Sequence, residues 1–403
     1  MTLLRRPGGI TAPQGFCAAG IHAGIKASGA LDLALVVSTI QGTMAGLFTR
    51  NRLPAAPVVV NRQKLRTRLG QAIIINSGNA NACTGPQGLQ QAKAMAKVTA
   101  QHLGLPVGSV YVGSTGIIGQ PLPIEKISRA IPLLVQRLRR AGHTEAARAI
   151  MTTDTVPKEA AFQTTIGDCL VTVGGMAKGA GMIHPDMATM LAYLTTDAAI
   201  EPGLLQHMLT QAVRQSFNCI SIDGETSTND MVLCLANGLA GNPILREGMS
   251  DCATFQQALT ATCETLALKI VQDGEGATKV AHIVVKGART SLEAKRVANT
   301  IATSPLVKTA FFGEDPNWGR IAAAIGRARA RISPRQFHIW VNQVALVRNG
   351  IGVGPSAERQ ARRIMKRRQF TITVEIGPGS GMHHCWTTDF SYEYVKINAA
   401  YHT

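Results

Sequence analysis

One stretch of the chain combines a flexible loop, a turn and a hydroxyl group that together could cleave the backbone. Residues 178–191 read KGAGMIHPDMATML, with Ala188-Thr189 at the start of an apolar run. A threonine at a loop-to-strand junction can attack the preceding carbonyl and convert the peptide bond to an ester. Hydrolysis then leaves Thr189 as an N-terminus, whose α-amine (pKa roughly 7.7–8) can act as base for its own hydroxyl. For an Ala-Thr pair alone, a buried strand is the ordinary interpretation.

A second hydroxyl group lies where a strand is expected to end. Residues 109–113 predict a strand that runs into Ser114-Thr115-Gly116. Thr115 can offer a side-chain donor and Gly116 a freely approached backbone amide, and such a pair suits the oxyanion of a tetrahedral intermediate. A strand-ending turn explains the same residues without any chemistry.

Three further polar stretches lie between predicted elements. Thr152 and Thr155 belong to a hydroxyl cluster for which helix capping and turn formation are the ordinary explanation. Glycines on both sides of Glu275 indicate a tight, exposed turn with little steric cover. Residues 221–230 are dense in polar groups, and we expect them to order a turn beside the site without a catalytic role.

The hydrophobic patterns predict an α/β protein. At 403 residues the chain is too long for one ordinary core, so two lobes of mixed sheets and helices are expected. Strands are predicted over 31–38, 55–60, 72–75, 109–113, 162–166, 170–173 and 282–285. Helices are predicted over 86–103, 123–140, 143–151, 202–217, 253–268 and 292–301.

The composition argues against several classes of protein. Hydrophobic residues make up 45% and charged residues 16%, which indicates a well-packed globular protein. No apolar run reaches the ~18 residues that a membrane span needs, and no long apolar segment follows Arg5 and Arg6 as in a signal peptide. The eight cysteines are scattered without a CxxC pair, which favours reduced thiols in a cytoplasm. We expect neither a metal nor another cofactor.

The net charge of +17 raises the question of a polyanionic partner. The basic residues do not alternate with aromatic residues, as they do in proteins that bind single-stranded nucleic acid. The densest run, 359–368, repeats at three and four residues and indicates the solvated face of a helix. The neighbouring histidines His383 and His384 lack further ligands at suitable spacing, which disfavours a metal site.

The stretch KGAGMIHPDMATML resembles the processing site of the ornithine acetyltransferase (glutamate N-acetyltransferase) family of arginine biosynthesis. DGETSTND at 223–230 and FGEDPNWGR at 312–320 also resemble blocks of this family, and the similarity extends from Gly8 to Thr403. Three features depart from the family pattern. The arginines of 359–368 replace a usually acidic and alanine-rich helix, residues 377–384 with His383 and His384 replace a usual turn of glycines and alanines, and Ala400 stands where an acidic residue is common.

This resemblance implies a two-lobed enzyme with an N-terminal-nucleophile-like fold that processes itself. The chain would split between Ala188 and Thr189 into an α chain, 1–188, and a β chain, 189–403. The two fragments would stay together and pair again as an α2β2 heterotetramer.

The resemblance also implies the reaction. Thr189 would take the acetyl group from N2-acetylornithine and pass it to L-glutamate by a ping-pong mechanism, with Thr115 and Gly116 as the oxyanion hole. Whether acetyl-CoA is also a donor stays open. Lys178 would bind the α-carboxylate of both substrates, and Glu275 with the C-terminal residues would bind the ornithine ammonium. One family substrate-binding position falls in the cluster 152–155, where Thr152 and Thr155 are candidates and four neighbouring hydroxyl or acidic residues leave the choice open. The family's other substrate-binding positions are Lys178, Thr189, Glu275, Asn398 and Thr403.

Two other functions compete with this one. An N-terminal-nucleophile amidase or aminopeptidase would use the same cleavage but give the acyl group to water, which an assay without glutamate would reveal. An inactive homologue could instead bind polyanions through its basic surface, which a salt-sensitive RNA gel shift would reveal.

Overall fold

Two β-sheets of different topology organise the chain, and a computed structural model describes residues 3–184 and 190–400 of it. The strands are β1 (Leu4–Arg5), β2 (Phe16–Ile21), β3 (Leu33–Phe48), β4 (Leu69–Asn79), β5 (Val110–Ile117), β6 (Lys158–Ile166), β7 (Cys169–Lys178), β8 (Leu191–Thr196), β9 (Ile220–Ser221), β10 (Met231–Ala236), β11 (Val280–Ala288), β12 (His338–Val341), β13 (Val344–Arg348), β14 (Ile351–Gly352), β15 (Gln369–Glu375) and β16 (Gly381–Thr388). The α-helices are α1 (Ala56–Lys64), α2 (Gly85–Leu103), α3 (Ile124–Gln136), α4 (His143–Ala149), α5 (Pro202–Gln215), α6 (Asp251–Gln272), α7 (Ser291–Ala302), α8 (Pro305–Phe312), α9 (Trp318–Gly326), α10 (Pro355–Met365) and α11 (Tyr392–Ala400).

The first sheet is built mainly from the N-terminal half of the chain and has the strand order β1-β6-β7-β8-β10-β3-β4-β5, with β2 paired to β3. Strand β3 bends at a break in register, so that its first half lies between β2 and β4 while its second half pairs with β10. Strand β5 runs parallel to β4 and β8 runs parallel to β10, whereas β6, β7 and β8 form an antiparallel series. Strands β5 and β7 are therefore parts of one continuous sheet, and the loops after them leave that same sheet.

The second sheet is built from the C-terminal half and has the order β14-β13-β12-β15-β11-β16-β9. Its apolar face packs against α7, α8, α9 and α10 through Val297, Ile301, Phe311 and Ile364 among other buried residues. Helices α5 and α6 cover the first sheet near β6, β7 and β8, and α2 with α3 cover its opposite end. Two sheets with separate helical layers confirm the predicted α/β class with two lobes.

Residues 56–60 belong to helix α1, with Ala55 as its N-cap, so the strand predicted over 55–60 is wrong. Pro57 stands in the first turn of α1, where proline is well tolerated because that turn lacks backbone acceptors. Val58 and Val60 are buried in different clusters on either side of the helix. A short run of apolar residues does not distinguish a buried strand from a helix that is covered on both sides, and the tertiary packing decided the outcome here.

Three other expectations from the sequence can be compared with the structure. Helix α10 buries Ala361 and Ile364 while its arginines are exposed, which confirms the solvated basic face. His383 and His384 lie within β16 and not in a turn. In the described residues no helix has both the length and the apolar character that crossing a membrane requires.

Candidate active site

A cavity lies where the ends of β5 and β7 meet the loops before β10 and after α6. Its wall contains six residues that the sequence singled out, although they are spread along the chain from position 115 to position 398. They are Thr115, Gly116, Thr152, Lys178, Glu275 and Asn398.

Thr115 and Gly116 line the cavity at the end of β5. Gly116 pairs with Gly78 of β4 and has a φ of 131°, which side-chain-bearing residues rarely adopt. A Cβ at Gly116 would lie 2.3 Å from the Gly78 carbonyl carbon, so only glycine lets the two strands approach this closely. Thr115 is 5% exposed, and its hydroxyl makes no hydrogen bond with any residue that the structure describes. The strand end therefore presents an uncommitted hydroxyl to the cavity.

Asn229 holds this strand end in place. Its side-chain amide donates to the Ala80 carbonyl at 2.6 Å and to the Ser114 carbonyl at 2.8 Å, while its oxygen accepts from Thr228 at 2.6 Å. Asn229 is buried and lines the cavity. The polar block 221–230 thus orders the backbone beside the site. Asn229 was not predicted individually from the sequence, and its signal is the polar run just before the apolar strand β10.

Lys178 is the last residue of β7, not part of the glycine loop as expected. Its side chain is buried, yet within the described residues its ammonium forms no hydrogen bond or ion pair. Burial lowers the pKa of Lys178 from its usual value, whereas the carboxylates of Asp154 and Asp230 oppose this shift. An ammonium in this state can receive an anionic group of a ligand at small desolvation cost.

The hydroxyl cluster before β6 divides between two locations. Thr152 and its neighbour Thr153 line the cavity. Thr155 instead donates through its backbone amide at 3.0 Å, and through its hydroxyl, to the carboxylate of Asp273 at the end of α6. Of the threonines at 152–155, Thr152 and Thr153 are thus at the cavity, whereas Thr155 is not part of its wall.

Glu275 projects from the glycine turn after α6. Its backbone amide donates to the Ala180 carbonyl at 2.9 Å, and its carboxylate accepts from the Asn398 amide at 2.8 Å. A Cβ on Gly181 would lie 2.5 Å from the Glu275 carboxylate carbon, so a larger residue there would displace the Glu275 carboxylate. Helix α11 and the loop after β7 therefore meet at this carboxylate.

Asp223 is a second acidic residue of the cavity that the sequence analysis did not select. Its carboxylate accepts from the backbone amides of Met182 at 2.5 Å and Ile183 at 2.8 Å, and from the Tyr394 hydroxyl at 3.5 Å. Burial raises the pKa of Asp223, and nearby Glu275 acts in the same direction. The backbone amides of Met182, Ile183 and Glu225, which donate to the carboxylate, oppose this rise in pKa. An aspartate that follows a strand and precedes a glycine was the available signal.

The charges on the cavity wall are unequal. Lys178 contributes its ammonium, whereas Asp223, Glu225 and Glu275 contribute carboxylates. The arrangement suits a ligand that carries one carboxylate and one or more ammonium groups, because each charge would find an opposite partner. An amino acid with a basic side chain has this pattern.

The predicted cleavage site and one predicted ligand cannot be placed. Ala188, Thr189 and Thr403 lie outside the described residues. The chain that leads toward Thr189 does reach the cavity, since Gly181 and Met182 line it. Beyond that segment, the described chain resumes at Met190, directly before β8.

Comparison with known proteins gives a consistent result. The family model described as ArgJ matches residues 17–403. The arginine biosynthesis bifunctional protein ArgJ of Symbiobacterium thermophilum is 46% identical over 98% of this chain and 99% of that protein. The crystal structure of ArgJ from Bacillus halodurans matches with a TM-score of 0.51 and 41% identity, covering 53% of this chain and all of that chain. An ornithine acetyltransferase from Mycobacterium tuberculosis, solved with ornithine, is 44% identical over 47% of this chain, with a TM-score of 0.43.

Proposed function

The chain belongs to the ArgJ family, and on that premise we propose that it transfers an acetyl group from N2-acetylornithine to L-glutamate in arginine biosynthesis. The observation that carries the proposal is the cavity wall, which in the described part of the chain holds the ammonium of Lys178 together with the carboxylates of Asp223, Glu225 and Glu275. N2-acetylornithine carries an α-carboxylate and a side-chain ammonium, which matches this distribution of charge. Glutamate shares the α-carboxylate, so both substrates can use Lys178.

In the proposed reaction Thr189 is the nucleophile of a double displacement. Its hydroxyl oxygen attacks the acetyl carbonyl while its α-amine takes the proton, and the oxyanion that forms is stabilised by Thr115 and Gly116. The amide bond to ornithine then breaks, and the proton passes to the departing amine. The glutamate amine next attacks the acetyl ester of Thr189, which yields N-acetylglutamate and restores the hydroxyl.

The proposal includes cleavage between Ala188 and Thr189, because the α-amine that serves as base exists only after this peptide bond is broken. The fragments would be 1–188 and 189–403. Strands β7 and β8 support their remaining together, since they belong to different fragments yet pair along Lys178 to Val173 within one sheet. Cleavage therefore need not separate the chains.

We also propose that the enzyme assembles as α2β2 in the cytoplasm. Tyr392 and Val395 of α11 are 83% and 63% exposed beside the cavity residues Tyr394 and Asn398, and apolar residues so placed suit a subunit interface. The thiols of Cys219, Cys234 and Cys263 are buried in the core as unreacted groups, which suits a reducing compartment.

Intact mass and an acetyl-transfer assay on the purified protein test the proposal together. We expect two fragments, the second beginning Thr-Met-Leu-Ala, and N-acetylglutamate formed from N2-acetylornithine. Thr189→Ala should stay as one chain and be inactive, whereas Thr189→Ser, which keeps a hydroxyl, should still be cleaved.

The controls separate the alternatives. Release of acetate at the same rate with and without glutamate would identify an amidase in place of a transferase. A parallel assay with acetyl-CoA as donor decides whether this second donor is used. Full activity in a protein whose only N-terminus is Met1 would refute the mechanism.

A further inference from the structure

A buried carboxylate ties two parts of the cavity wall together. The side chain of Asp154 is 0% exposed. One of its oxygens accepts from the backbone amide of Gly179 at 2.7 Å, and the other accepts from the backbone amide of Thr152 at 2.9 Å. Asp154 therefore fixes the residue that follows Lys178 and also the cavity threonine, although it does not line the cavity itself.

The same carboxylate belongs to a buried ion-pair network that reaches the turn of Glu275. The ammonium of Lys158, also 0% exposed, donates to Asp154 at 2.5 Å and to Asp273 at 2.6 Å. Asp273 directly follows α6 and stands two residues before Glu275. The network thus connects the strand end that carries Lys178 with the turn that carries Glu275.

Asp154 also neutralises charge around Lys178. The charged groups that act on the Lys178 ammonium are the carboxylates of Asp154, Asp230 and Glu275 and the ammonium groups of Lys158 and Lys26. Burial alone would raise the pKa of Asp154, but Lys158, Lys178 and the Gly179 amide lower it below its usual range. Asp154 is thus negatively charged at neutral pH and favours the charged form of Lys178.

We propose that Asp154 is a positioning residue for acetyl transfer, which holds Lys178 and Thr152 in the arrangement that receives the substrate α-carboxylate. This inference rests on the proposed function, since it assigns a task within the same site. It follows from the two backbone amides that Asp154 binds, that of Gly179 directly after Lys178 and that of Thr152. Removal of the charge should also make Lys178 lose its proton at lower pH.

Asp154→Asn provides the test, because asparagine keeps the shape and one acceptor oxygen but removes the charge. In this variant we expect the KM for N2-acetylornithine and the KM for glutamate to rise together by about tenfold, since both substrates carry the α-carboxylate. The alkaline limb of the kcat/KM profile for N2-acetylornithine should move down by about 1 pH unit or more.

Asp273→Asn is the matched control. It removes a carboxylate from the same network, but Asp273 contacts neither Gly179 nor Thr152 and is not among the charges that act on Lys178. Its alkaline limb should coincide with that of the wild type. Identical limbs in Asp154→Asn and wild type, or equal shifts in both variants, would overturn the proposal in favour of a purely structural network.

Two further measurements test the proposal if the wild type is inactive or if Asp154→Asn does not fold. Labelling of Lys178 with acetic anhydride across pH, read by peptide mass spectrometry, reports its protonation without any activity. If the wild-type protein does not transfer acetyl, the proposed function is refuted. The labelling then still tests whether Asp154 favours the protonated form of Lys178. If Asp154→Asn does not fold, Asp154→Glu provides the test, because it keeps the charge but moves it. Its KM for both substrates should rise while the alkaline limb of the kcat/KM profile stays unchanged. A wild-type KM in this variant would overturn the proposal.

Discussion

Replacing Thr115 by valine removes one hydroxyl from the cavity wall and keeps the branched shape of the side chain. The substitution isolates a single chemical group, because the Thr115 hydroxyl forms no hydrogen bond with the described residues. Among the described residues no donor or acceptor therefore loses its partner. Thr115 is 5% exposed at the end of β5, where a branched residue suits the strand.

The expected effect falls on turnover and not on folding. A donor to an oxyanion typically contributes about 3–4 kcal/mol to the transition state, so the turnover number of Thr115→Val should fall by about 10² to 10³. The free energy of unfolding should change by less than about 1 kcal/mol, because the substitution leaves neither a cavity nor an unpaired group. The KM for N2-acetylornithine should change little, since the group acts in the transition state.

The assay is the turnover number at saturating N2-acetylornithine and glutamate, measured on protein whose cleavage before Thr189 has been confirmed by intact mass. Urea unfolding of the same preparation measures stability. Thr115→Ser is the control, since serine keeps the hydroxyl and loses only a methyl group. It should stay within about tenfold of the wild-type turnover number, well above the valine variant.

Two results would refute this reasoning. Wild-type turnover in Thr115→Val would show that the hydroxyl does not contact the oxyanion and would leave Gly116 as the proposed donor. Equal losses in the valine and serine variants would show that the methyl group and local packing matter, not the hydroxyl.

Three further predictions address other parts of the site and the fold. Asn229→Ala and Asn61→Ala each remove a buried amide that binds the β5 region, so the free energy of unfolding of both variants, measured in urea, should fall by about 2–4 kcal/mol. Only Asn229→Ala should also lower the turnover number. Equal turnover numbers in both variants would contradict the positioning role of Asn229. Glu275→Gln should raise the KM for N2-acetylornithine about tenfold or more and that for glutamate far less, because only ornithine carries the second ammonium; equal rises would exclude that contact. Burial lowers the pKa of His282 and His383 to about 4, below the roughly 6.5 of an unfolded chain. The unfolded state therefore binds protons first, and stability should be complete above about pH 6.5 and fall toward pH 4; asparagine at both positions should flatten the dependence of the urea midpoint on pH, and an unchanged slope would show that other groups cause it.

Local patterns in the sequence predicted most of the secondary structure and the chemical groups of the site. The strands of the first sheet follow from short apolar runs bounded by glycine and proline. The predicted strand that leads into Thr115 is one example. The run at 55–60 failed because its valines are buried on two sides, and burial on both sides depends on neighbours that lie far away in the chain. Lys178 was expected in a loop because glycines follow it, yet pairing with β8 extends the strand to that residue.

The sequence by itself determined which residue types the site contains, since hydroxyl, ammonium and carboxylate groups next to glycines are recognisable from local spacing. Only the tertiary structure decided how they combine. Asp223, Asn229 and Tyr394 join the cavity because β9, β10 and α11 bring them beside β5 and β7, and no local pattern carries that information. The same holds for the contact of Asp154 with the Gly179 amide, which exists only once β6 and β7 have paired, whereas its contact with the Thr152 amide is local. Contacts between residues distant in sequence depend on strand register and packing of the whole sheet, which a short stretch of sequence does not contain.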